Sequence, residues 1–100
     1  MKHFFVKLIP PRPTFPHDMS DKERLLMQEH SSYLKDLQEQ GIALIYGPVF
    51  DLKGAWGLAV IESESEEKAR MFMDNDPTIK ANLNKYELAP MNAFMKTTDR

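Results

Sequence analysis

Two hydrophobic periods alternate along the chain, and each switch between them marks an element. From His3 to Ile9, Phe4, Phe5, Val6, Leu8 and Ile9 are β-favouring types that predict a strand, and Pro10-Pro11 ends it. Residues 10–20 hold four prolines, which no helix or central strand tolerates. They predict a stiff, partly polyproline-like connection, long for a strand-to-helix loop, and long loops in compact domains are often lids or binding loops. Over residues 21–40 the period becomes helical: Leu26, His30, Tyr33 and Leu37 recur at i, i+4, i+7 and i+11, and Met27 and Leu34 widen the stripe. Ser20 or Asp21 caps this helix, Ser20 with Glu23 fits a capping box, and Gly41 supplies the stop.

The pattern returns to strands at Ile42–Phe50 and Ala55–Ile61, joined by a short hairpin connection, Asp51-Leu52-Lys53-Gly54. Ser65-Glu66-Glu67-Lys68 opens a second helix, with acids in its first turn and Ala69, Phe72 and Met73 as its inner stripe. Asp76-Pro77 starts a further short turn or helix, with Asp as N-cap and Pro at the first helical position. Tyr86–Met95 reads as a last strand, which Pro90 restricts to an edge or a bulge, and Thr97–Arg100 is expected to fray. The order β-α-β-β-α-β predicts an α+β fold of the ferredoxin-like split βαβ type: an antiparallel four-stranded sheet with two helices on one face. One domain spans residues 1–100, too few for a second independent core.

A sheet covered on one face alternates apolar and polar positions. Ile42-Ala43-Leu44-Ile45-Tyr46 and Leu58-Ala59-Val60-Ile61 do not, since both parities are apolar. The helices cover one face, so a second copy of the sheet is the simplest cover for the other, and a homodimer is expected. The competing expectation is a monomer with a partly apolar open face.

Composition narrows the chemistry. Thirteen basic and 15 acidic side chains leave a formal net charge of −2, without the basic excess of a protein that grips nucleic acid through phosphates. There is no cysteine, which removes thiol nucleophiles, disulfides and thiolate metal sites together. No apolar run reaches the roughly 18–20 residues of a membrane span, and the apolar stretch after Met1 is too short for a signal sequence. A cytoplasmic protein without membrane or nucleic-acid partners is the expectation.

Met27-Gln28-Glu29-His30 running on to Tyr33-Leu34, Gly41 leading to Gly47-Pro48, and Ser65-x-Glu67-x-Ala69 before Asp76-Pro77 form an ordered set with Tyr86-x-Leu88 and Pro90. In this set the chain resembles the YCII-related family over nearly its whole length. The resemblance implies a dimeric α/β barrel of ferredoxin-like subunits. It also implies an active site built on a His–Asp pair, which maps onto His30 and Asp76. Where many such sequences carry a histidine just before the proline of the last strand, this chain has Ala89.

The residues themselves leave each role open. His30 stands on the apolar stripe of its helix, where an imidazole needs a hydrogen-bond partner. It is either a satisfied core histidine or, with a carboxylate orienting it, a proton-transfer group with one nitrogen free. Asp76 is explained as an N-cap alone, yet it follows the inner side of the second helix, and with both helices on one sheet face a meeting with His30 is geometrically reasonable. Ser31 and Ser32 adjoin His30 without facing it. His3, His17 and His30 lack the spacing of a helical metal pair, and no glycine-rich phosphate loop exists, so neither a metal nor a cofactor is expected. Arg12 is a candidate for holding an anionic substrate, against plain solvation. Phe15 is a candidate lid, and Tyr33, Pro48 and Phe50 are candidate pocket walls, against ordinary core packing. These residues point first to a cofactor-independent small-molecule enzyme of the lyase, isomerase or hydrolase type, with His30 as acid or base and Asp76 polarising it. The alternative is a dimeric small-molecule binding or sensing module without turnover, and a third is a cofactor-free oxygenase.

Overall fold

The computed structural model describes residues 1–96. The elements are β1 (Lys2–Ile9), α1 (Asp21–Glu39), β2 (Ala43–Asp51), β3 (Gly54–Ser63), α2 (Glu66–Asp74), α3 (Pro77–Lys80) and β4 (Lys85–Met91). The strands form one antiparallel sheet in the order β2-β3-β1-β4, which is the ferredoxin-like arrangement the element order predicts. The last strand is shorter than expected and ends at Met91, while Thr97–Arg100 lie outside the described residues. Pro90 fits because β4 is an edge strand paired to β1 alone.

The sheet is open. Its edges, β2 and β4, do not pair with each other, so the α/β barrel implied by the family resemblance is not formed. Four strands are too few to close, since a barrel filled by its own side chains takes about eight.

Local chemistry explains the helices. Ser20 accepts from the Glu23 backbone N–H at 3.2 Å, and the Glu23 carboxylate accepts from the Ser20 N–H at 2.9 Å, so the capping box is complete. Ser65 caps α2 by accepting from Lys68 N at 3.1 Å. The inner stripes of α1 (Leu34, Leu37) and α2 (Ala69, Met73) bury against Phe4, Val6, Ala59 and Ile61 of the sheet. Each large side chain so buried contributes roughly 1.5–3 kcal/mol.

The two apolar parities of β2 have a backbone cause. The register with β3 shifts between Ala43, opposite Ile61, and Ile45, opposite Val60. This bulge at Leu44 resets the alternation, so Ala43 and Tyr46 both join the helix-side core while Ile45 points to the open face. On that open face Phe5 meets Trp56 edge-on at 6.4 Å, and the Lys7 ammonium lies 4.9 Å from the Trp56 ring centre. The chain therefore shields part of this face with its own aromatic and cationic groups.

Candidate active site

His30 lies midway along α1 on the face turned to the sheet, and α3 packs against α1 so that Asp76 arrives beside it. His30 Nδ1 is 2.6 Å from Asp76 Oδ2. The other carboxylate oxygen, Oδ1, accepts from Thr78 N at 2.8 Å and from Thr78 Oγ at 2.7 Å. One carboxylate thus caps α3 and holds the imidazole, so the capping role and the pairing role are the same contact set.

Asp76 is fully buried, at 0% exposure. Burial pushes its pKa up, but the hydrogen bonds and charge of His30 and the hydrogen bonds of Thr78 outweigh it and hold the carboxyl below its ordinary value. An ionised carboxylate only accepts, so His30 Nδ1 must donate. The neutral ring then presents Nε2 as an acceptor, the state a general base needs.

The imidazole borders a cleft of about 300 Å³ under the proline-rich loop, between α1 and the β2–β3 half of the sheet. Its walls include Phe15, Pro16, Tyr46, Pro48 and Phe50. Phe15 is 3% exposed and closes the loop side, whereas Phe50, 74% exposed, stands at the rim. The His30 side chain is 12% exposed, enough to be reached from the cleft while Asp76 stays behind it.

The remaining predicted residues lie elsewhere. Tyr33 does not line the cleft; its hydroxyl donates to the Phe72 carbonyl at 2.6 Å, and burial followed by the Asp76 charge pushes its pKa up. Arg12 is not at the cleft either. Its guanidinium donates to both Glu23 carboxylate oxygens at 2.9 and 2.7 Å, and to the Asp18 side chain and carbonyl at 3.0 and 2.9 Å. That bidentate pairing, with the Ser20 contacts, brings the Glu23 pKa down to about 2. Arg12 ties the proline-rich loop to the start of α1, and its guanidine carbon lies 5.4 Å from the Phe15 ring centre.

Sequence reasoning passed over Tyr46, Met27 and Asn84, all of which border the cleft. Asn84 carries no local signal: its side-chain partner, Met27, is 57 residues away. Among the described residues, no three His, Asp or Glu side chains gather as metal ligands, and no helix is long and apolar enough to cross a membrane.

No curated protein matches the chain. Among solved structures, 5-chloro-2-hydroxyhydroquinone dehydrochlorinase from Burkholderia phenoliruptrix, in complex with 2,5-dihydroxybenzoquinone, is similar with a TM-score of 0.59. The identity is 17%, covering 89% of this chain and 93% of that one, a likeness of fold. The YCII-related domain model matches residues 3–92, so the chain belongs to the YCII-related family.

Proposed function

We propose that this chain is a cofactor-independent enzyme that moves a proton on a small, largely apolar, flat metabolite of about single-ring size. The observation that carries the proposal is the His30 Nδ1–Asp76 Oδ2 contact of 2.6 Å beside the cleft. Nε2 takes a proton from an O–H or C–H of the substrate, and the buried carboxylate stabilises the imidazolium that forms. The proton then returns to another substrate atom, giving isomerisation, or the electron pair expels a leaving group, giving elimination. The aromatic walls supply binding by stacking and burial. The structurally similar dehydrochlorinase, solved in complex with 2,5-dihydroxybenzoquinone, supports a flat six-membered-ring ligand and an eliminating reaction over hydrolysis.

The test is a turnover screen of small aromatic and enolisable compounds, repeated on any hit with His30→Ala and Asp76→Asn. Loss of rate in both variants supports the dyad. Full rate in both ends the proposal, and ligand binding without turnover of any compound replaces it with a binding module.

We further propose a homodimer in which a second copy rests on the open sheet face, where Ile45, Phe5 and Val60 are apolar and only partly covered. Light scattering at micromolar concentration tests it, and a monomer there, unchanged by Ile45→Asp, refutes it.

A further inference from the structure

Beyond the dyad, the cleft holds a second polar group whose bonding is incomplete. Asn84, between α3 and β4, is 3% exposed and borders the cleft. Its backbone N–H donates to the Thr78 carbonyl at 3.2 Å. Its side-chain Nδ2 faces Met27 Sδ at 3.5 Å. A thioether accepts weakly and cannot donate, which assigns the amino half of the amide to Met27 and leaves the carbonyl half over. Among the described residues no group donates to Asn84 Oδ1. Among the described residues Trp56 Nε1 is the one fully buried side-chain polar atom without a partner, so Asn84 Oδ1, which also has none, keeps some access.

A buried amide oxygen at an apolar cleft costs stability until something donates to it. When the His30 ring is neutral its Nε2 accepts, and the cleft then presents two acceptors. No lysine or arginine is among the residues bordering it. A carboxylate entering there would set its lone pairs against Asn84 Oδ1, with the Ser31 and Tyr46 hydroxyls as neutral donors and no cation bordering the cleft except a protonated His30. We infer that Asn84 is a ligand-binding residue, and that the ligand is an uncharged ring compound with two hydrogen-bond donors, one for His30 and one for Asn84. The inference rests on His30 acting as an acceptor in the proton-transfer reading, and it makes Asn84 the group that fixes which substituent faces the base.

Binding of catechol, resorcinol and hydroquinone, of their monomethyl ethers and of benzoate is measured by calorimetry or ligand-detected NMR. The proteins are the wild-type chain, Asn84→Leu and His30→Ala. The best-bound diol is expected to bind the wild type roughly fivefold or more tightly than its monomethyl ether, the value of one hydrogen bond. Asn84→Leu is expected to abolish that difference, and benzoate to bind more weakly than the diol. Equal binding of diol and ether by the wild type overturns the inference, as does benzoate binding best or no diol binding at millimolar concentration. The diol–ether contrast is read on the wild type, so misfolding of Asn84→Leu leaves the result standing. If the contrast is absent while His30→Ala still destroys turnover of a confirmed substrate, only this inference falls. If it is present while His30→Ala turns over that substrate at full rate, the proton-transfer reading falls alone.

Discussion

Among the described residues there are two histidine–carboxylate pairs, and they share little beyond an imidazole set against a carboxylate. His3 and Glu62 face each other across neighbouring strands on the open sheet face, with His3 Nε2 and Glu62 Oε1 3.1 Å apart. Both side chains are partly exposed, and neither pair member borders the cleft. His30 and Asp76 come from separate helices, 46 residues apart, and meet at 2.6 Å. There the carboxylate is buried and anchored from behind by Thr78, and the ring borders the cleft. Proximity of an imidazole and a carboxylate is therefore common to both; what separates them is the second set of hydrogen bonds and an adjoining space for a ligand. A partly exposed cross-strand pair of this kind is worth roughly 0.2–1 kcal/mol.

The sharpest way to break this contrast is activity. On a confirmed substrate, His30→Ala is expected to lower kcat by roughly 10²–10⁴-fold, while His3→Ala leaves it unchanged. Equal losses in steady-state kinetics would erase the distinction. Stability separates the pairs next. Asp76→Ala leaves the Thr78 N–H and the His30 Nδ1–H without their acceptor and is expected to cost about 1–3 kcal/mol per buried group in denaturant unfolding, whereas Glu62→Ala stays within roughly 0.5 kcal/mol.

The pH dependence of that stability follows from the direction of the Asp76 shift. Its folded pKa lies below the unfolded value of about 3.9, so its contribution is complete above that value and is lost as pH falls through the folded pKa. Acid unfolding of Asp76→Asn, followed by circular dichroism, is thus expected to lack part of the wild-type loss below about pH 4. Thr78→Val is a milder probe of the same anchor. It removes the hydroxyl donor and keeps the backbone one, with an expected cost of about 0.5–1.5 kcal/mol and a smaller kcat effect than His30→Ala.

The smallest effect is expected at the loop. Glu23 is held near a pKa of about 2, chiefly by Arg12, so the loop clamp is present above the ordinary glutamate range and survives acid until pH approaches that value. Arg12→Ala should raise KM through the loss of the Phe15 wall, with kcat nearly unchanged. An equal fall in kcat would place Arg12 closer to the chemistry than its contacts suggest.

Much of the scaffold was legible because its signals are local. The Ser20–Glu23 capping box, the Asp76-Pro77 helix start and the hairpin at Asp51–Gly54 each depend on a few consecutive residues. The doubled apolar pattern of β2 was visible as well, but its cause was not. A one-residue bulge at Leu44 moves Ala43 and Tyr46 to the same side, and a bulge is a property of two paired strands rather than of one. The barrel expectation came from the family resemblance and failed because closure requires the edge strands β2 and β4 to pair, which hydrophobic periodicity does not show.

The amino-acid order alone determined which segments become helix or strand, where they start, and that one imidazole and one carboxylate lie on inward-turned positions. Caps, periods and prolines act over a few residues, so they act before the chain has a shape. Only the packed structure decided that α3 delivers Asp76 to His30, that Arg12 and Tyr33 are spent on internal partners, and that Asn84 borders the cleft beside Met27. Apart from the nearby Arg12 contacts, those outcomes depend on residues far apart in sequence, whose hydrogen bonds are chosen by the fold as a whole.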